Sequence, residues 1–230
     1  MKKIKLVCFD VGNTLIYDKR PFQRLFHPSH HDTLCQKYGL NKNLLFGKLR
    51  AEIFDVKIHK EVNKAVRLYM KRIGVRIIQN SDEFFHFFKE KMLQNRHAHK
   101  HLHYYKETRN VLRTLQNKGY KIAFITNWGQ HGRYHFDTIG LSTYADHMII
   151  SAEHGKRKPH LSLFKVVLHV FKVKPSEAIM IGDTYEKDYL PAKKIGMHAL
   201  LIERRKKTYD HAIKNLKQVL SYIQTVNGSL

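Results

Sequence analysis

Asp10 closes the apolar run 4–9 and leads into the turn Val11-Gly12-Asn13-Thr14. An acid at the tip of a buried strand is a poor placement unless something there needs its charge. Thr126 and Asn127 follow a second apolar run, 122–125. Lys158 lies in Gly155-Lys156-Arg157-Lys158-Pro159, and Asp183 and Asp188 lie in the loop after 178–181. In a parallel sheet these points converge on one edge. Three carboxylates brought together repel one another and raise their own pKa values unless a cation lies between them. Hard oxygen ligands with no imidazole or thiolate among them point to Mg²⁺. A lysine and a hydroxyl–amide pair facing the metal supply what a phosphoryl group requires, charge neutralisation and oriented donors. Asp10 is then the candidate nucleophile, forming an aspartyl-phosphate.

Five apolar runs have to carry these groups: 4–9, 122–125, 147–150, 178–181 and 199–202. They are continuous, not alternating, which suits strands covered on both faces of a parallel sheet. Helical spacing separates most of them. Val111, Leu112 and Leu115 precede Gly119, a C-terminal stop; Leu161, Phe164, Leu168 and Phe171 recur at three- and four-residue steps, as do Ala212, Leu216, Val219, Leu220 and Ile223. The alternation predicts an α/β fold, a Rossmann-like doubly wound parallel sheet built from residues 1–16 and 106–230. Residues 17–105 break the rhythm. They show helical periodicity without a buried-strand run, and Phe84, Phe85, Phe87 and Phe88 read as helix core behind a start at Asn80-Ser81-Asp82-Glu83. This interval reads as an all-helical cap inserted between the first two core strands.

The chain has 230 residues and a formal charge of +23, from 42 Lys and Arg against 19 Asp and Glu. Such a surface attracts anions, whether nucleic acid, acidic membrane or phosphorylated substrate. The excess is spread: 18 basic and 8 acidic side chains lie in 17–105, with 24 and 11 elsewhere. A dedicated nucleic-acid site concentrates its charge on one element, so nucleic acid is not the favoured partner and a small phosphorylated metabolite is. No stretch approaches the roughly 20 apolar residues of a membrane span. Asp10 interrupts the apolar start before a signal core forms, and Cys8 and Cys35 make no disulfide framework. The expectation is a cytoplasmic protein.

The motifs resemble those of the haloacid dehalogenase-like superfamily, in the branch with a helical cap after the first motif. The resemblance rests on Phe9-Asp-Val-Gly-Asn-Thr-Leu15, Phe124-Ile-Thr-Asn127, Lys158-Pro159 and Ile181-Gly-Asp-Thr-Tyr-Glu-Lys-Asp188, followed by Ala192 and Gly196-Met197. It implies Asp10 as nucleophile, with Thr126 and Lys158 holding the phosphate. Mg²⁺ would be held by Asp10, the backbone carbonyl of Gly12 and Asp183, with Asp188 bound directly or through water.

One position departs from the pattern. Phosphatases resembling this chain usually carry a second aspartate where Gly12 stands, and that acid protonates the leaving oxygen and then activates water. Gly12 keeps the carbonyl and loses the proton shuttle, a change that typically costs about 10²–10⁴-fold in rate. The expectation is a Mg²⁺-dependent hydrolase of small phosphate monoesters; capped members of the resembled family with Asp-x-Gly-Asn can still be phosphatases, so Gly12 leaves open whether the rate is full or slowed. The alternative is a weakly active or non-catalytic protein of the same fold that binds an anionic partner. A cap histidine (His27, His30 or His31) is a substitute proton donor to consider.

Of the remaining features, His97, His99, His101 and His103 alternate and could bind a transition metal, but no acid or cysteine lies within the run. They read as a polar linker where the cap returns to the core. Trp128 reads as loop packing.

Overall fold

The computed structural model describes residues 3–19, 99–129, 131–204, 209 and 211–228. The interval assigned to the helical cap, with its phenylalanine cluster and with His27, His30, His31 and His97, lies outside the described residues apart from its two ends.

The apolar runs become a five-stranded parallel sheet of β1 (Leu6–Phe9), β4 (Lys121–Thr126), β5 (His147–Ile150), β6 (Ala178–Gly182) and β7 (His198–Leu201), in the order β5-β4-β1-β6-β7. β1 is central, and all four of its residues are buried. Successive side chains of β1 face opposite sides. Val7 and Phe9 join the layer beneath α1 (Thr108–Asn117) and α6 (Lys217–Asn227), while Leu6 and Cys8 join the one beneath α4 (Leu161–Phe171) and α5 (Leu190–Lys194). Both faces are dry, which is why these strands read as unbroken apolar runs. Burial pushes the Cys8 thiol far up, so this cysteine is core.

Gly119 stops α1 as expected, with φ +69° just beyond the helix. The last helix begins later than its apolar spacing suggests. Ile213 bridges Ile202, and the Gln218 side chain accepts from the backbone of Lys214 and Asn215, so 212–216 form a capped approach to α6.

The histidine-rich return is more ordered than a linker. β3 (Leu102–Tyr104) pairs antiparallel with β2 (Ile16–Asp18), and Leu102 enters the core. The alternating polar spacing masked a strand whose inward residues are Leu102 and Tyr104. His103 stacks on Tyr17, whereas His99 packs against His135 in α2 (Gly132–Thr138), so these histidines do not share one face. The ribbon ties together the two ends of the 20–98 interval.

Candidate active site

The site lies at the carboxyl ends of β1, β4 and β6, where a parallel sheet opens to ligand. β1 delivers Asp10, which is 7% exposed, and one oxygen each from Asp10, Asp183 and Asp188 lies within 4.8 Å of the others. Lys158 is 2% exposed. Its Nζ donates to Asp10 Oδ1 at 2.7 Å and to Asp188 Oδ1 at 2.6 Å. Burial disfavours a charged lysine, but the two carboxylates outweigh it and drive the Lys158 pKa upward. The structure thus brings Asp10, Lys158, Asp183 and Asp188 together at this edge.

Local structure explains how each acid is held. Asp188 sits in the one-turn segment Tyr185–Tyr189. There its Oδ2 accepts from the Thr184 amide at 3.1 Å, and its own amide donates to the Thr184 carbonyl at 2.8 Å. It reaches the cluster across Gly182. A Cβ at that position would overlap the Cβ, Cγ and Oδ2 of Asp188, so only glycine lets the acid approach. Burial and the neighbouring Asp10 and Asp188 charges hold Asp183 up to about 7; Asp188 is held up to about 6, chiefly by burial, against the pull of Lys158. Carboxylates so destabilised, all with hard oxygens, fit a divalent cation such as Mg²⁺.

Thr126 ends β4 and is buried beside this edge. Asn127, the next residue, is half-buried. Its Nδ2 donates to the Lys158 carbonyl at 3.0 Å, and its Oδ1 accepts from the Lys158 amide at 2.8 Å. That two-bond clamp fixes the backbone from which Lys158 reaches the acids.

Gly12 lies under the indole of Trp128, where a Cβ would sit 3.4 Å from Cζ3. Trp128 meets Phe136 edge-on at 5.0 Å between centroids, and its amide and carbonyl both bond to the Ser151 hydroxyl. It is loop packing, as its sequence position suggested, and it fills the space beside position 12.

Two contributors were not legible in the sequence as site residues. Asn13, next to Gly12, has φ 55°, and its side chain lies near enough to Asp183 to favour the ionised acid. Arg204, which reads as one member of a basic run, donates to the backbone of the turn after Asp10. No spacing rule connects position 204 with position 13, and only the fold brings them together.

A family model described as haloacid dehalogenase-like hydrolase matches residues 31–202. Glyceraldehyde 3-phosphate phosphatase of Pyrococcus furiosus is 34% identical over 131 residues, which is 53% of this chain and 55% of that protein. Haloacid dehalogenase-like hydrolase domain-containing protein 3 of Xenopus laevis is 34% identical over 94 residues, 41% of this chain and 38% of that protein. The chain thus spans about half the length, or less, of these curated relatives. The crystal structure of a HAD phosphatase from Thermococcus onnurineus superposes with a TM-score of 0.65 at 25% identity, covering 96% of this chain and 98% of that one. Among the described residues no helix is long and apolar enough to cross a membrane. With the four motifs converging on one sheet edge and a family match over most of its length, the chain belongs to the haloacid dehalogenase-like hydrolases.

Proposed function

We propose that this protein is a divalent-metal-dependent phosphatase of small phosphate monoesters, with Asp10 as nucleophile. The observation that carries the reading is the buried Lys158 ammonium bridging Asp10 and Asp188, with Asp183 in the same cluster. A cation lodged beside an acid nucleophile favours the ionised form of that acid and neutralises an incoming phosphoryl group.

In this reading an Asp10 oxygen attacks phosphorus, the ester P–O bond breaks, and an aspartyl-phosphate forms while the leaving oxygen departs and takes its proton from water. Lys158 and the Thr126 hydroxyl hold the phosphoryl oxygens. The Asn127 side chain clamps the backbone of Lys158 beside them. Water then cleaves the acyl-phosphate, releasing phosphate and regenerating Asp10. Asp10, Asp183, the Gly12 carbonyl and Asp188 would hold Mg²⁺, which supplies charge neutralisation for the transferring group. Gly12 provides no proton for the leaving oxygen, so turnover is slow with poor leaving groups and faster with aryl esters.

The relatives' names include glyceraldehyde 3-phosphate phosphatase and ribulose-1,5-bisphosphate 5-phosphatase. Short phosphosugars are therefore the first substrates to assay, beside a generic aryl phosphate, with and without Mg²⁺. Hydrolysis lost in Asp10→Asn and on chelation is the expected result. A folded, metal-binding protein that turns over none of these esters would overturn the phosphatase reading in favour of a non-catalytic anion binder.

A further inference from the structure

We propose that Arg204 is the positioning residue for the turn after the nucleophile, holding the Gly12 carbonyl and the Asn13 side chain in place at the acidic cluster. The proposal rests on the metal-binding role given above to Asp10, Gly12 and Asp183.

Arg204 lies three residues beyond β7, an edge strand two positions from the central β1 that its targets follow. Its guanidinium reaches three partners at once. Nε donates to the Asn13 carbonyl at 3.2 Å, Nη2 to the Thr14 carbonyl at 2.5 Å, and Nη1 to Glu107 Oε1 at 2.8 Å. The plane lies over the Tyr105 ring, 3.4 Å from carbon Cζ to the centroid. Both members of the Arg204–Glu107 pair are only 12% exposed, so the pair is shielded from water on most sides. Glu107 is itself anchored, accepting from the Leu216 amide at 3.2 Å. Thr108 beside it donates to the Leu15 carbonyl at 2.7 Å. Three consecutive carbonyls, 13 to 15, are thus held by groups that arrive from the return strand, the start of α1 and the segment after β7.

The turn needs such holding. Asn13 adopts φ 55°, the left-handed region, which costs a non-glycine residue on the order of 1 kcal/mol and persists only where the surroundings over-determine it. Asn13 shares its peptide with the Gly12 carbonyl and its side chain lies near Asp183, so holding this backbone holds both. A lysine could supply the charge at position 204 but not three donors in fixed directions, nor the flat face against Tyr105. Tyr105 and Glu107 stand where the chain returns from residue 98, so the same guanidinium joins that return to the catalytic turn.

The test compares wild type with Arg204→Met and Arg204→Lys in the full chain, measuring Mn²⁺ affinity by calorimetry without substrate, alongside melting temperature. Removing an outer group that orients ligands typically lowers metal affinity about 10–100-fold. Arg204→Met is expected to raise the Mn²⁺ Kd about tenfold or more and Arg204→Lys to recover only part of it. Val219→Ala, a core truncation on the buried face of α6, is expected to lower the melting temperature while leaving that Kd unchanged. If Arg204→Met fails to fold, Arg204→Lys alone decides. A Kd within about twofold of wild type in the folded Arg204 variants, or an equal shift in Val219→Ala, overturns the proposal. Wild type that binds Mn²⁺ yet hydrolyses no ester overturns the phosphatase reading alone, whereas wild type that binds no Mn²⁺ overturns both.

Discussion

Replacing Gly12 with aspartate supplies a candidate acid for the proposed reaction, and it brings the new side chain against Trp128. The backbone at Gly12 is outside the left-handed region, so the φ angle does not forbid a side chain. The neighbour does. A Cβ would already touch Trp128 Cζ3 at 3.4 Å, and the carboxyl carbon extends about 1.5 Å further. The indole has little room to retreat. Phe136 lies behind it, its backbone is tied to Ser151, and even a methyl at Gly132 would come within 2.8 Å of its Cδ1. Overpacking of this kind costs about 1–3 kcal/mol, and for a chain of this size each kcal/mol is worth about 2–4 °C in Tm. Gly12→Asp is therefore expected to lower Tm by about 2–12 °C without the roughly 10²-fold gain in kcat/KM that a placed general acid would bring. Gly12→Ala, stopping at van der Waals contact, is expected to change neither by much. In a Trp128→Ala background the aspartate has room, and the cycle of single and double variants should then show a coupling of about 1–3 kcal/mol in stability, together with a gain in rate. Thermal denaturation and aryl phosphate kinetics on the four proteins make the measurement. If Gly12→Asp alone keeps the wild-type Tm and raises kcat/KM about tenfold or more, Trp128 is no obstacle and the reasoning fails.

Two further predictions concern the acidic cluster. Asp183 and Asp188 have folded pKa values of about 7 and about 6, above their unfolded values, so the metal-free protein holds protons that the unfolded chain has lost. Their stabilising contribution is present at low pH and disappears as pH rises through 6 to 7, the range in which the cluster becomes free to bind metal. From Asp183 alone, apparent Mg²⁺ affinity should increase about tenfold from pH 6 to pH 8, worth about 3–5 °C of extra Mg²⁺-dependent thermal shift at saturating metal. An equal shift at the two pH values contradicts the assignment. Gly182→Ala should push Asp188 off the cluster and raise the Mg²⁺ concentration for half-maximal activity about 10–100-fold, and an unchanged Mg²⁺ requirement would mean that Asp188 is not part of the metal site.

The sequence by itself determined the sheet and the groups at its edge. Unbroken apolar runs such as 4–9 and 178–181 can be satisfied only by strands buried on both faces, and parallel strands must open their carboxyl ends to ligand. Once the strands were known, Asp10, Thr126, Lys158, Asp183 and Asp188 had to lie near one another, because each closes or follows one of them. The order of the strands and the direction in which side chains turn were not legible there. Spacing placed Asn127 next to Thr126 at the strand end, but its two bonds to the Lys158 backbone, 31 residues on, could be read only from the fold. The same is true of β3, whose polar alternation concealed an inward Leu102, and of Trp128, whose relation to Gly12 spans two loops. Arg204 is the extreme case. A charge in a basic run carries no local signal of its partners, since ion pairs and hydrogen bonds follow from proximity in space; the structure brings it to carbonyls about 190 residues away in sequence. Local periodicity fixes which residues are buried and which lie at strand ends, whereas long-range packing decides which of them touch.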